Sequence, residues 1–186
     1  MQFFVQPGTE LKFYEEWKSN RLNWHLALGL GQENYKFHDH EKLAHYANAA
    51  ADIEFKFPFG FKELEGIHSR TDFDLSAHEK FSGRKLQYFD PERNENYVPY
   101  VVETSIGLDR MFLALFSICL KDEVLEDGSE RTVLSLPPAL APVKAAILPL
   151  VKKDGLPEFA EKIFNDLKYD FNVISEEKDS IGKRYR

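Results

Sequence analysis

The sequence predicts an α+β protein: an antiparallel β-sheet with flanking helices, followed by a smaller, mostly parallel α/β unit. Three observations carry this. Asp52-Ile53-Glu54-Phe55-Lys56-Phe57-Pro58-Phe59 alternates strictly, turns at Gly60 and returns as Phe61–Ile67, which reads as a hairpin of half-buried strands. Leu11, Tyr14, Trp17, Arg21, Leu22, His25 and Leu28 recur at helical spacing and lay an aromatic stripe on something. At Leu136-Pro137-Pro138 the composition changes, and the runs that follow have β-α-β-α order.

The elements follow along the chain. Met1–Gln6 reads as a strand and Pro7-Gly8 turns it. Thr9 is placed to cap the aromatic helix, with Glu10 at the positive end of its dipole, and Gly29 and Gly31 end it. His38, His40 and His45 with Asp39 and Glu41 form a polar loop, followed by a helix or turn at Ala47–Ala51. These histidines lack the His-x-x-x-His spacing of zinc proteases and no thiolate assists them, so no structural zinc is expected. After the hairpin, Thr71 or Asp72 caps a short helix that Ser82-Gly83 breaks; Lys85–Phe89 is a strand, Asp90–Asn96 a polar loop and Tyr97–Glu103 another strand. That strand runs into the apolar helix Met111–Leu120, and Glu126–Glu130 is a surface turn. Beyond the Pro-rich linker come an apolar strand over Val143–Leu150, a helix over Pro157–Leu167, a strand over Phe171–Ile174 and a helix opened by Asp179. Two pieces are therefore expected, residues 1–136 and residues 137–186, the second an incomplete domain, so the chain reads as part of a longer protein.

With 43% apolar and 30% charged residues the chain is globular rather than disordered. Sixteen Phe and eight Tyr predict a large aromatic core. The lone Cys119 excludes a disulfide framework and reads as a buried structural thiol. The longest apolar stretches are too short to span a membrane, so a cytoplasmic setting with no membrane partner is expected. A net charge of -7 argues against a protein held to nucleic acid by bulk electrostatics, while leaving room for a local basic surface such as Ser180–Arg186, which reads equally as a solvated end.

Two stretches carry candidate chemistry. In Val101-Val102-Glu103-Thr104-Ser105-Ile106-Gly107-Leu108-Asp109-Arg110 a strand ends in an acid and a hydroxyl, turns at a glycine and opens a helix bearing an arginine. An acid suits a substrate ammonium, worth about 4 kcal/mol at ~4 Å and an effective dielectric of ~20 before desolvation. A planar, always charged guanidinium suits phosphate. The bland alternative is a strand-end surface acid and an arginine snorkelling from a core helix. In Glu63-Leu64-Glu65-Gly66-Ile67-His68-Ser69-Arg70-Thr71-Asp72-Phe73-Asp74-Leu75, Glu63 and Glu65 share one strand face, which is costly unless a cation such as Mg²⁺ or an ammonium lies between them. The alternative is a solvated face with Arg70 paired to Asp72 or Asp74.

The first stretch, spelled Glu-x-Ser-x-Gly-x-x-Arg, resembles motif 3 of class II aminoacyl-tRNA synthetases in its glycyl-tRNA synthetase form. The second is similar to a stretch of bacterial and eukaryotic glycyl-tRNA synthetases, and Met1–Val5 looks like the second strand of their motif 2. The resemblance implies a class II core followed by the start of an anticodon-binding domain, and an aminoacyl-tRNA ligase that joins glycine to its tRNA using ATP with Mg²⁺. It implies roles as well: Glu103 and Ser105 on the glycine ammonium, Arg110 on the terminal phosphate of ATP, Gly107 at the ATP site and Glu63 on ATP-bound Mg²⁺. Arg70 and Asp74 brace the pocket, and His68 lines it, as does one side chain of His45-Tyr46. Gln2 departs from the pattern, because the family has an acid there and an amide supplies no charge. Motif 1, which forms the family's homodimer interface, and the motif 2 arginine would precede Met1, so the isolated chain is expected to be inactive. The competing readings are a non-catalytic synthetase-like module that binds RNA or protein, another adenylate-forming ligase on the same core and, more distantly, a metallohydrolase.

Overall fold

The computed structural model describes residues 1–184. Of the basic C-terminal stretch, Tyr185 and Arg186 lie outside the described residues. The chain divides into two compact units, Met1–Ser135 and the residues from Leu136 onward.

The first unit is built on β1 (Gln2–Val5), α1 (Glu10–Ala27), β2 (Tyr35–Asp39), β3 (Ala49–Phe57), β4 (Gly60–Ser69), α2 (Phe73–Ser82), β5 (Tyr88–Asp90), β6 (Glu95–Tyr97), β7 (Tyr100–Ile106), α3 (Leu108–Cys119), β8 (Leu120–Val124) and β9 (Glu130–Leu134). Five strands form one antiparallel sheet in the order β1-β7-β4-β3-β2, and β5-β6 and β8-β9 are separate hairpins. The expected hairpin is β3-β4. Its apolar positions point to one face, where Ile53 and Phe55 are fully buried.

Helix α1 covers that face. Phe3 of β1 meets Phe13 and Trp17 of α1 at ring distances of 5.4 and 5.6 Å, and Tyr14 is buried. Trp24, off the expected stripe, is exposed, and the Arg21 guanidinium lies 4.6 Å from its ring. The start of α1 is also held differently from the expected cap. The Thr9 hydroxyl donates back to the Gln6 carbonyl at 2.7 Å, and the Glu10 carboxylate accepts the Gly8 N–H at 2.7 Å. Asp72 precedes α2, but its carboxylate accepts from the Ser76 hydroxyl and caps no backbone N–H.

Several local expectations are corrected. The histidine-rich stretch is a loop only from His40 on: Tyr35–Asp39, with His38, pairs along β3 as the edge strand β2, because its aromatic positions alternate inward. Ala49–Ala51 extends β3 rather than forming a helix or turn. Strand Lys85–Phe89 and loop Asp90–Asn96 are instead the short hairpin β5-β6, which has its turn between Asp90 and Glu95. Pro99 has no N–H to give a ladder, and the expected Tyr97–Glu103 strand starts one step beyond it as β7. The aromatic core is small. Phe55 and Phe57 are buried, whereas nine of the sixteen Phe are exposed, among them Phe112 and Phe116 stacked on each other along α3. Cys119 is buried at the end of α3, and burial pushes its thiol pKa up.

The second unit contains β10 (Ala145–Ile147), α4 (Leu156–Leu167), β11 (Val173–Ser175) and α5 (Ile181–Arg184), and β10 pairs with β11 in parallel. The apolar strand is three residues long rather than spanning Val143–Leu150. Among the described residues no helix is long and apolar enough to cross a membrane.

Candidate active site

Residues opposite each other in register share a face of the sheet, so the ladder shows which side chains meet on the face away from α1. One row runs Gln2, Glu103, His68, Ala50 across β1, β7, β4 and β3. The next runs Ser105, Gly66, Asp52, His38. A third runs Glu63, Glu54, Lys36. Nearly all the site residues singled out in the sequence therefore converge on one polar face of the sheet or at its margin.

Glu103 is the best-held group on it. Gln2 Nε2 donates to one carboxylate oxygen at 3.2 Å and Arg70 Nη1 to the other at 3.4 Å. Arg70 also makes a forked pair with Asp74, at 2.7 and 3.2 Å, and lies 4.3 Å from the centre of the Tyr46 ring. The hydrogen bond from Arg70 holds the Asp74 carboxyl below the usual carboxylate range. Asp74, not Asp72, is thus the partner of Arg70. The backbone is fixed here too: Arg70 N–H donates to Val101 O at 2.8 Å, and Val101 N–H to Thr71 O at 2.9 Å. Thr71 adopts the left-handed region, φ 55°, a costly conformation for a β-branched residue, at the corner that aims Arg70.

His68 lies flat on the sheet because Gly66 has no side chain: a Cβ there would meet the imidazole Cε1 at 2.8 Å. Burial lowers the His68 pKa, which favours the neutral ring, and its Nδ1 is buried with no protein partner among the described residues. Beyond it, His40 Nε2 meets Asp52 at 2.9 Å, His38 Nδ1 meets Glu54 at 3.3 Å and Lys36 Nζ meets Glu54 at 2.9 Å. Asp52 and Glu54 escaped the sequence reading. Their signal was present in the same alternation that defined the strand, whose polar positions had to face something.

Glu63 and Arg110 are brought together. Arg110 Nη1 donates to the Glu63 carbonyl at 2.6 Å and lies 3.3 Å from its carboxylate, both side chains about half exposed. They line a cleft of about 370 Å³ with Phe57, Phe59, Lys62 and Leu113. Gly107 precedes α3 in an extended conformation, φ -81°, so no left-handed turn requires it; the Arg110 stem instead lies 3.6 Å from where its Cβ would be.

The expectation that Glu63 and Glu65 share a face is wrong. Ile53 pairs with Glu65 and Glu54 with Glu63, which leaves Leu64 as an extra residue in a β-bulge. The bulge shifts the alternation by one. Glu65, 1% exposed, turns into the core, where Arg21 Nε donates at 2.6 Å and His25 Nε2 lies at 2.8 Å. No Mg²⁺ or ammonium is needed to separate the two carboxylates, because each has its own cationic partner. Arg21 and His25 were visible in sequence as two basic residues one helical turn apart in an otherwise apolar stripe.

No family model matches the chain. Curated relatives match all of it. It is 52% identical over 187 residues to a glycine–tRNA ligase of Chlorobaculum tepidum and 50% identical over 188 residues to one of Geobacillus thermodenitrificans, in each case covering 100% of this chain and 40% of the relative. A glycine–tRNA ligase of Borrelia hermsii is 49% identical over 191 residues, and 43% of it is covered. The chain thus spans about two fifths of the length of the curated relatives it matches. Among solved structures, a Giardia lamblia prolyl-tRNA synthetase in complex with prolyl-adenylate superposes on 99% of this chain and 36% of its own, with a TM-score of 0.55 at 16% identity. The fold is therefore that of a class II synthetase, and the sequence is similar throughout to part of a glycine–tRNA ligase.

Proposed function

We propose that this chain is the part of a glycine–tRNA ligase that holds glycine and ATP on the polar face of its sheet. The observation that carries the reading is the convergence of Gln2, Glu103, Ser105, Glu63 and Arg110 on one face of the sheet and its margin. Glu103 and Ser105 take the glycine ammonium. Arg70, itself held by Asp74 and Tyr46, keeps the Glu103 carboxylate aimed. Gln2 orients the same carboxylate and adds no charge, so Glu103 carries the electrostatic attraction.

Arg110 leaves Glu63 for the terminal phosphate of ATP, an exchange that is inexpensive because both side chains are half exposed. Glu63 is an oxygen donor at the mouth of a cleft, which fits Mg²⁺ held by one or two carboxylates plus substrate phosphates. The cation, when bound, neutralises phosphate charge. A glycine carboxylate oxygen attacks the α-phosphorus, the α-phosphorus bond to the bridging oxygen breaks, and pyrophosphate leaves with its electron pair. The chain contributes positioning and charge rather than covalent chemistry. A ribose hydroxyl of the tRNA terminus then takes the glycyl group and releases AMP. Crowding at the α-carbon suffices to select glycine, since it must reject only larger side chains. His68, pressed on Gly66 beside Glu103, contributes to that wall.

Residues 1–136 form part of the catalytic domain, and residues from 137 onward begin an anticodon-binding domain that faces the tRNA. The whole enzyme is a cytoplasmic homodimer.

A segment exchange tests this reading. The Chlorobaculum tepidum enzyme, carrying this chain in place of its homologous segment, is expected to support glycine-dependent exchange of pyrophosphate into ATP, and Arg110→Ala in that chimera to abolish it. A folded chimera without exchange, or one that Arg110→Ala leaves active, would reject the proposal.

A further inference from the structure

The bulge at Leu64 decides which way Glu63 points. In an unbroken strand Glu63 and Glu65 would lie on the same face, and a slip of one residue would turn each to the other side. Two outcomes are open to such a strand: both acids toward α1, or both toward the polar face. The structure takes neither, and what distinguishes Glu65 is its anchorage. Its carboxylate is 1% exposed and held from one side only, by Arg21 and His25, one turn apart on α1. His25 is itself fully buried, and Arg21 bridges from the exposed Trp24 ring to the buried carboxylate. Leu64, the extra residue of the bulge, is also buried at 1% exposure, and burial runs without alternation from Leu64 through Ile67. Glu63 is left opposite Glu54 on the polar face, next to Arg110.

We propose that the Arg21–Glu65–His25 clamp sets the phase of the β3-β4 bulge and thereby presents Glu63 to the nucleotide cleft. Arg21, His25 and Glu65 are positioning residues: they touch no substrate and act through the strand. The carboxylate that α1 draws into the core forces the extra residue, and the extra residue turns its neighbour but one outward. The consequence for nucleotide binding rests on the ligase reading; the strand pairing does not.

The test uses the chain itself, and NMR cross-strand contacts between backbone protons of β3 and β4 read the register. The wild type is expected to show the pairs 53–65 and 54–63. Glu65→Gln keeps the shape and removes the charge, and Arg21→Met removes the forked donor at a helix position where Met is well tolerated. Either variant is expected to lose the 54–63 contact in favour of an unbulged register. Its affinity for Mg²⁺·ATP, read by calorimetry, should fall about tenfold, the usual scale for losing a supporting partner of a metal-binding carboxylate. Arg21→Lys, which retains the charge, should keep the pairing and the affinity. If Glu65→Gln does not fold, Arg21→Met gives the reading alone. Retention of both pairs in the folded variants would overturn the proposal, as would loss of the pairs with Arg21→Lys to the same extent as with Arg21→Met. A wild type that fails to bind Mg²⁺·ATP would count against the ligase reading and leave the pairing result to decide the clamp.

Discussion

The two faces of the five-stranded sheet are made from alternate residues of the same strands, yet they hold charge in different ways. On the face against α1, Glu65 is sealed among Ile53, Phe55 and Ile67 and is bonded by both neighbours that reach it. On the opposite face, Glu103 has one fixed partner, Arg70, beside the Gln2 amide, while Glu63, Asp52 and Glu54 are held by imidazoles or half-exposed cations that can turn elsewhere. A charge buried with fixed partners serves the fold, and a charge held by exchangeable partners is free to meet a ligand. Burial and the number of fixed bonds, rather than residue type, separate the roles of Glu63 and Glu65, two residues apart.

Substitutions should fall on either side of that division. The largest loss of stability is expected from Phe55→Ala, which empties a fully buried position between Tyr35 and Phe57 and should cost about 3–5 kcal/mol in urea unfolding. Arg21→Ala follows, at about 3 kcal/mol, because it leaves the Glu65 carboxylate buried with one partner fewer. A loss below 1 kcal/mol would mean that water replaces Arg21 and that the clamp is looser than its geometry.

Acid should reveal the same group. Burial pushes the Glu65 carboxyl up, but hydrogen bonds from His25 and Arg21 outweigh it and hold the group below the ordinary carboxylate range. A depressed folded value means stability that is present above the unfolded value, ~4.3 for Glu, and lost as pH falls through the folded one. Unfolding free energy measured from neutral to acid pH should decline in that window, and Glu65→Gln should flatten the decline.

On the polar face the ordering reverses. Glu103→Gln should change stability by less than about 1 kcal/mol, yet weaken a glycyl-adenylate analogue by roughly 10- to 100-fold, the scale of one charged hydrogen bond. The smallest effect is expected from Tyr46→Leu, which removes the ring under Arg70 for about 0.5–1 kcal/mol. Its mark should be a modest rise in dissociation constant with little change in melting temperature.

Sequence periodicity disclosed much of this because the elements that build the face are locally regular. The alternation of Asp52–Phe57 and the stripe of α1 placed the central hairpin and the helix behind it, and the run around Glu103 placed a strand leading into α3, although that strand runs on to Ile106 and leaves Glu103 in its middle. The bulge was hidden for a physical reason: an extra residue leaves the letters of Glu63-Leu64-Glu65 alternating, and only the anchorage from α1, some forty residues earlier, reveals the broken phase. Strand β2 was obscured by His38 at its end and by His40 and His45 beyond it, whose ring chemistry drew attention from the inward Tyr35 and Phe37. The small aromatic core has a similar origin, since composition counts phenylalanines without telling which surface they meet.

The most direct measurement is a thermal-shift titration of this chain with non-hydrolysable glycyl-, alanyl- and seryl-adenylate analogues in the presence of Mg²⁺, with Glu103→Gln as control. A ligand that binds only the folded form at one hundred times its dissociation constant adds about 2.7 kcal/mol. The polar face as a glycine and ATP site requires a shift with the glycyl analogue, a smaller one or none with the other two, and its loss in Glu103→Gln. Equal shifts with all three analogues, or a glycyl shift that survives Glu103→Gln, would contradict it.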